Sequence, residues 1–178
     1  VVAAAAASAA PATPGFPVTV SNCGEPLRFD APPRRMVVHD LNMAEMVMAL
    51  GLQPKLVGVT GITGWYKASA DFWKALGPVP ELAPKYPTLE NLLAARPDLF
   101  FAGWYYGMQP GGGVTPATLA RHGVATLVLT ESCVHNRADK PEATLDLLYG
   151  DMLRLGAVFG RREQAEQLVA GWRERVRA

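Results

Sequence analysis

The feature that most constrains the fold of this chain is a segment, residues 86–106, in which a helix pattern, a stop and an apolar strand pattern follow one another. Thr88 is a helix-capping residue type, and Glu90 places a carboxylate in the positively polarised first turn. Pro97 ends the helix, because it disfavours the α conformation of the residue before it. Residues 99–102 are continuously apolar, which predicts a strand that is covered on both faces of a sheet.

Strand and helix patterns of the same kind alternate along most of the chain with short connections. This alternation predicts an α/β fold, in which a mostly parallel sheet carries helices on both faces and forms three layers. Asn42 is expected to cap the first helix, and Gly51 to end it. The further predicted strands are residues 36–39, 56–60 and 125–129, and the further predicted helices are residues 42–50, 71–76 and 115–122.

The two ends of the chain depart from this alternation. Residues 1–17 are rich in alanine and form either a disordered arm or the remnant of a secretory signal, because residues 7–9 have the small side chains of a cleavage site. Residues 18–140, which open with an edge hairpin, form the predicted α/β lobe. Residues 141–178 are predicted to be helical, with a break near Gly160 and a long C-terminal helix after it.

Composition and charge exclude several classes of protein. An apolar fraction of 49% is sufficient for a packed core. The net charge is +1 and no run of basic residues is present, so that a nucleic-acid partner is not expected. No apolar stretch approaches the roughly 20 residues that a membrane-spanning helix requires.

Aromatic side chains cluster at the ends of two predicted strands. Because open α/β sheets bind ligands just past the carboxyl ends of their strands, we expect these rings to form a binding surface. Flat rings with polar edges suit a large, partly apolar ligand. The alternative is that some of the rings cover the end of the sheet as part of the core. The residues are Trp65 and Tyr66 after one strand, Trp104, Tyr105 and Tyr106 after another, and Tyr86 before the helix between them.

Histidine and carboxylate residues also fall at strand ends. His39 and Asp40 lie at the end of one predicted strand, and Glu131 and His135 follow another. If these four side chains converged, they would form a set of ligands that suits a transition metal. In the alternative, His39 is a hydrogen-bonded residue near the core and His135 a solvated loop residue, and the protein has no cofactor.

The cysteines and the candidate nucleophiles lack the spacing of known catalytic motifs. Cys23 and Cys133 match no CxxC spacing, and they form either one disulfide in an exported protein or two free buried thiols. Neither a GxSxG elbow nor a phosphate-binding glycine motif occurs. The sequence therefore favours a protein that is not an enzyme, and an α/β hydrolase-like enzyme that uses Ser132 or Cys133 is the remote alternative.

Four segments, in this order, resemble the periplasmic substrate-binding proteins (class III) of ABC importers for iron-siderophores, haem and cobalamin. The resemblance covers most of residues 18–178. The segments are PPRRMVVHDLNMAEMVMALGLQPKLVGVTG at 32–61, TLENLLAARPDLFFA at 88–102, LARHGVATLVL at 119–129 and LGAVFGRREQAEQLV at 155–169. The SNCG opening, the KYP before the helix and the second cysteine resemble an actinobacterial-type branch that binds iron complexes, and this supports a Cys23–Cys133 disulfide.

The resemblance implies two Rossmann-like α/β lobes that are joined by a long, rigid helix, with the ligand in the shallow cleft between them. The chain would supply the first lobe and the start of the connecting helix, and the second lobe would lie outside this sequence. The resemblance further implies an exported monomer, in the periplasm or as a cell-surface lipoprotein, that serves an ABC permease of the inner membrane.

Binding residues are carried over from the loops that follow the strands of such proteins. Glu90 occupies the position of a glutamate that docks onto arginines of the permease. We expect it to lie at one end of the helix–strand segment 86–106, and the aromatic residues 104–106 to lie at the opposite end. The expected ligand is a metal chelate, a ferric siderophore first and haem or cobalamin next, and Lys85 would pair with an anionic chelate. The expected ligand-binding residues are Asp40, Asn42, Ile62, Trp65, Tyr66, Lys85, Tyr86, Trp104, Tyr105 and Tyr106.

Overall fold

The computed structural model describes residues 13–133 and 143–178, so that His135 and the alanine-rich residues 1–12 lie outside the described residues. The strands are β1 (Val18–Asn22), β2 (Glu25–Phe29), β3 (Met36–His39), β4 (Leu56–Thr60), β5 (Glu81–Ala83), β6 (Leu99–Trp104), β7 (Gly107–Met108) and β8 (Ala125–Val128). The helices are α1 (Leu41–Ala49), α2 (Ala70–Leu76), α3 (Leu89–Ala94), α4 (Pro116–Ala120), α5 (Thr130–Cys133), α6 (Leu145–Val158) and α7 (Arg162–Arg177).

The main sheet is parallel, which confirms the predicted fold class. Its strands follow the order β5-β4-β3-β6, and β8 pairs with the other side of β6. The short strand β7 pairs with the last two residues of β6. Every residue of β3 is buried, as expected for a strand that lies between two neighbours and under helices on both faces.

Helices cover both faces of the sheet, so the fold has the three predicted layers. Val38 and Phe101 pack on one face, in the cluster that contains the buried residues of α1, α2, α6 and α7. Val37 and Phe100 pack on the opposite face with Leu92 of α3 and with α4. Successive residues of a strand point to opposite faces, and this alternation divides the core into two clusters. Within the described residues, no helix is both long and apolar enough to span a membrane.

The start of α1 differs from the prediction. Asp40, and not Asn42, is the residue that caps the helix, and its carboxylate accepts a hydrogen bond of 3.1 Å from the backbone N–H of Asn42. The helix begins at Leu41, directly after the end of β3 at His39, and this places Asp40 in the capping position. The predicted break before the last helix is confirmed, because Gly160 follows α6 with φ 67°.

The hairpin β1–β2 is joined to the edge of the sheet by a disulfide and by one side-chain amide. Cys23, in the hairpin turn, is bonded to Cys133 with a Cα–Cα distance of 5.4 Å, which confirms the predicted disulfide. The amide of Asn22 donates to the carbonyl of Thr126 (2.9 Å) and accepts from the N–H of Val128 (2.8 Å). Asn22 thereby satisfies backbone groups of the edge strand β8.

A buried ion pair attaches α6 to the same region. Asp151 is 1% exposed, and it accepts hydrogen bonds from the N–H and the hydroxyl of Thr130 at 3.0 and 2.6 Å. Asp151 also pairs with Arg154, whose guanidinium donates to the carbonyls of Ser21 (2.8 Å) and Val128 (2.6 Å). The charge of Asp151 is therefore compensated where α6, β1 and the end of β8 meet.

The ring of His39 is held inside the fold at the end of β3. It is 2% exposed, and its Nδ1 lies 2.8 Å from the hydroxyl of Thr60. A Cβ added at Gly61 would lie 2.3 Å from the ring, and one added at Gly107 would lie 2.7 Å from it. Both positions therefore require glycine. Burial lowers the pKa of His39 to about 4, against an opposing effect of Asp40, so that the ring is neutral at pH 7.

Replacing both Cys23 and Cys133 by serine is expected to lower the free energy of unfolding. The disulfide closes a loop with a sequence separation of 110, and loop-closure entropy predicts a loss of about 4–5 kcal/mol. Urea denaturation of the oxidised protein and of the double variant measures the difference. Adding a reductant should destabilise the wild-type protein and leave the double variant unchanged. Equal urea midpoints for the two proteins would contradict the prediction.

Acid is expected to destabilise the protein through His39. Between pH 6.5 and about 4 the unfolded state takes up a proton at this residue that the folded state does not bind. Stability therefore falls with falling pH in this window, by about 3 kcal/mol in total for this group. Urea denaturation at several pH values measures the slope, and a His39→Asn variant should have a smaller slope. His122→Gln, at an exposed position, should keep the wild-type slope. Wild-type and His39→Asn proteins with the same slope would refute the assignment.

Candidate ligand-binding surface

The parallel sheet brings the predicted site residues to one edge. Since all strands of the main sheet run in one direction, their carboxyl ends lie side by side, and the loops that follow them are neighbours. The residues gathered there are Asp40 after β3, Trp65 and Tyr66 after β4, Lys85 and Tyr86 after β5, Tyr105 and Tyr106 after β6, and Glu131 after β8.

Tyr86 connects the aromatic residues of different strands. Its ring stacks on that of His39, with centroids 5.6 Å apart, and meets the ring of Trp65 edge to face at 6.4 Å. The hydroxyl of Tyr86 donates to the carbonyl of Tyr105 at 2.6 Å. The Nζ atom of Lys85 lies 4.5 Å from the centroid of the Trp65 ring, a cation–π contact. These contacts join the ends of β3, β4, β5 and β6.

Several of these rings are exposed to solvent. The exposed fractions are 52% for Trp65, 37% for Tyr66 and 51% for Tyr105. We call the surface formed by Trp65, Tyr66, Lys85, Tyr86 and Tyr105 the aromatic surface. Large exposed rings that lie together are typical of interaction sites, whereas single exposed apolar residues are ordinary.

Asp40 is buried beneath the aromatic surface and binds the hydroxyl of Tyr66. It is 5% exposed and has a φ of 73°, and its carboxylate accepts a hydrogen bond of 2.9 Å from the hydroxyl of Tyr66. Burial, this hydrogen bond and the charge of Asp40 together raise the pKa of Tyr66 to about 12. The phenol of Tyr66 therefore keeps its proton at neutral pH, and its hydroxyl donates a hydrogen bond to Asp40. Asp40 orients a ring and presents little of its own surface to a ligand.

An open cavity of about 770 Å³ lies beside the aromatic surface, between α1 and α6. Its lining includes Asp40, Asn42, Met46, Tyr106 and Leu148. Burial raises the pKa of Tyr106, as do the nearby charges of Glu131 and Asp40. Sequence reasoning placed Asn42 and Tyr106 at the site, but it did not reveal the cavity, because the two helices are about 100 residues apart in the chain.

Two predicted ligand contacts point elsewhere. Ile62 is fully buried in the larger core cluster, so that its side chain offers nothing to a ligand. Trp104 is half-buried and packs on the opposite face of the sheet, with Phe100 and Ala102. The alternation of β6 places every second residue on that face, and Trp104 therefore shares it. We leave both residues out of the aromatic surface.

Three residues of the metal hypothesis, His39, Asp40 and Glu131, belong to the described part of the chain, and His135 lies outside it. Among the described residues, no three His, Cys, Asp or Glu side chains lie together as possible metal ligands. His39 has the buried, hydrogen-bonded position that the alternative interpretation assigned to it. Asp40 is engaged by Asn42 and Tyr66.

Neither candidate nucleophile of the enzyme alternative is available. Ser132 is fully buried, and its hydroxyl donates to the carbonyl of Leu129 at 2.7 Å. Cys133 is bonded to Cys23. Burial therefore removes the Ser132 hydroxyl from solvent, and the disulfide leaves Cys133 without a free thiol, which argues against the remote alternative of an enzyme that uses either residue.

Glu90 lies in the first turn of α3, as predicted, and its side chain is exposed. Its own backbone N–H and the hydroxyl of Thr88 lower the pKa of its carboxyl group. The expectation that Glu90 and the aromatic loop lie at opposite ends is wrong. In a parallel α/β unit the helix starts at the edge where the strands end, and the bond from Tyr86 to Tyr105 joins these two points.

Comparisons with known proteins agree with this architecture. A profile described as periplasmic binding protein matches residues 36–178. No curated protein matches the chain. Among solved structures, the chain is similar to an ABC-type Fe3+-hydroxamate transport system from Saccharomonospora viridis, with 28% identity and a TM-score of 0.71. This match covers 90% of the present chain and 55% of the other.

Two further solved structures share the fold. A periplasmic heme binding protein from Pseudomonas aeruginosa is 27% identical, with a TM-score of 0.59 and coverage of 82% of this chain and 45% of that one. The vitamin B12 binding protein BtuF of Vibrio cholerae is 21% identical, with a TM-score of 0.56 and coverage of 82% and 49%. The chain thus spans about half the length of the proteins that it matches. Because the profile matches most of the chain and the fold agrees, the chain belongs to the periplasmic binding protein family.

Proposed function

We propose that the chain captures a ferric chelate, a ferric siderophore in the first place, and delivers it to an ABC permease. The observation that carries this proposal is the aromatic surface at the carboxyl edge of the sheet, with Trp65 and Tyr105 about half exposed. The similarity to the Fe3+-hydroxamate transport system of Saccharomonospora viridis supports a hydroxamate ligand. Haem and cobalamin are the alternatives within the same class of function, and the similarity to the periplasmic heme binding protein from Pseudomonas aeruginosa supports the first of these two.

The chemistry of the aromatic surface suits such a ligand. The rings of Trp65 and Tyr105 provide flat apolar contact for the organic periphery of a chelate. The ammonium group of Lys85 lies over the Trp65 ring and is exposed, so that it is placed to pair with an anionic group of the ligand. The hydroxyls of Tyr66 and Tyr86 donate to protein oxygens. Their oxygen atoms therefore face a ligand mainly as acceptors.

The aromatic surface would form one wall of a cleft. In this proposal residues 18–140 are the ligand-binding lobe, residues 141–178 are the segment that carries α6 and α7, and α7 is the start of a helix that leads to a second lobe. Most side chains of α7 are exposed, and Ala165 and Val169 are the buried ones. The protein would be an exported monomer, in the periplasm or as a lipoprotein, and its activity is binding and delivery rather than catalysis.

Removing the Trp65 ring is expected to weaken binding of a ferric trihydroxamate. Trp65→Ala deletes an exposed ring, and we expect an increase in Kd of roughly tenfold because stacking and apolar contact are lost. Calorimetric titration of the full-length protein with a ferric trihydroxamate, haemin and cyanocobalamin measures the affinities and identifies the preferred class. Lys85→Ala should weaken the binding of anionic chelates more than that of neutral ones. Lys74→Ala, which removes a lysine at an exposed position of α2, is the matched control and should bind like the wild type. Full-length protein that binds none of the three compounds would refute the proposed function.

Reversing the charge of Glu90 is expected to impair delivery without affecting capture. Glu90→Arg would oppose arginines of the permease, and we expect uptake of the chelate to fall by roughly tenfold at low ionic strength. The Kd for the chelate should remain unchanged, because Glu90 makes no contact with the aromatic rings in the described contacts. Uptake by cells and calorimetry measure the two quantities separately.

The control for this experiment is Glu166→Arg, which reverses an exposed charge on α7. This variant should transport the chelate at the wild-type rate. The docking role of Glu90 would be ruled out by an uptake rate for Glu90→Arg equal to that of the control.

A further inference from the structure

The loop that carries Trp65 and Tyr66 is bound by a single carboxylate of the neighbouring strand. Glu81, in β5, accepts hydrogen bonds of 2.9 Å from the backbone N–H groups of Ile62 and Thr63 on one oxygen. Its other oxygen accepts a bond of 2.6 Å from the hydroxyl of Thr63. Three donors from two consecutive residues thus converge on one side chain.

The backbone of β5 and the residues after it hold the two sides of the same loop. The N–H of Gly61 donates to the carbonyl of Ala83, and the N–H of Gly64 donates to that of Pro84, both at 2.9 Å. A Cβ at Gly64 would lie 2.4 Å from the carbonyl oxygen of Pro84 and from the side chain of Lys85. The loop therefore lies directly against the chain after β5, and Glu81 binds the section between these two contacts.

The charge of Glu81 is compensated by these donors. Among the described residues, the ion pairs are Arg28–Asp30, Arg154–Asp151 and Arg173–Asp146, and none of them includes Glu81. Hydrogen bonds to a carboxylate are stronger than those between neutral groups. Successive backbone N–H groups that point to one anion are, moreover, a favourable arrangement for binding negative charge. No other role for Glu81 emerges from its described contacts.

We propose that Glu81 is a positioning residue for ligand capture. By fixing the backbone at Ile62 and Thr63, it sets the position of Trp65 against Tyr86 and that of the Tyr66 hydroxyl against Asp40. Glu81 acts through the loop and does not contact the ligand. The inference rests on the proposed function for the identity of the ligand, and on the hydrogen bonds alone for the control of the loop.

The test compares Glu81→Ala, Glu81→Gln and Thr63→Val in the full-length protein. In Glu81→Ala the amides of Ile62 and Thr63 lose their acceptor, and they should exchange with deuterium faster than in the wild type. The Kd for a ferric trihydroxamate should rise roughly tenfold. Glu81→Gln keeps an oxygen that can accept from both amides, so that its Kd should stay within about threefold of the wild-type value. Thr63→Val removes only the hydrogen bond from the Thr63 hydroxyl, so that its Kd should lie between that of the wild type and that of Glu81→Ala.

Glu166→Ala, on the exposed side of α7, is the control and should leave exchange and affinity unchanged. Thermal unfolding of each variant shows whether a loss of affinity reflects a loss of the fold; if Glu81→Ala does not fold, Glu81→Gln and Thr63→Val decide the question. Unchanged exchange at residues 62 and 63 in Glu81→Ala, or an equal loss of affinity in Glu81→Ala and Glu81→Gln, would overturn the proposal. The exchange measurement needs no ligand, so it remains decisive if the full-length protein binds no chelate.

Discussion

The parallel pairing of β3 with β4 and β6 is the interaction on which the remaining structure depends. The four residues of β3, Met36–His39, are all buried, and backbone hydrogen bonds link this strand to β4 on one side and to β6 on the other. Because the pairing is parallel, the loops after the strands share one edge, and the starts of the following helices share it too. The aromatic surface and Glu90 therefore lie on the same edge, so that under the proposed function a ligand and a permease would meet the protein from one side.

Exposed rings at this edge rest on buried polar groups. Tyr86 stacks on His39, which is neutral because burial lowers its pKa. Tyr66 donates to Asp40, which also caps α1. Each contact joins residues that follow or end different strands. The geometry of the surface therefore depends on the register of the sheet, and a change in one strand would displace rings on another. Glu81 is a further example, because this residue of the three-residue edge strand β5 binds the loop that follows β4.

Most of the fold was predictable because its elements have strong local patterns. The strands at residues 36–39 and 56–60 have the predicted bounds, since each is a short apolar run between turn residues. Strand β5 and the helical turn α5 were missed, because three or four residues are too few to show a period. The disulfide was an expectation from the resemblance, and the packing of the hairpin against β8 brings its two sulfur atoms together.

By itself, the sequence determined the class of fold and the position of the aromatic residues along the chain, because apolar periodicity and the location of loops are local properties. The tertiary structure decided which of these residues form a surface. It placed Trp104 against the core and Trp65 in solvent, and it engaged Asp40 with Tyr66. The physical reason is that the direction of a side chain depends on strand alternation and on partners distant in sequence, such as Glu81 for the loop that bears Trp65.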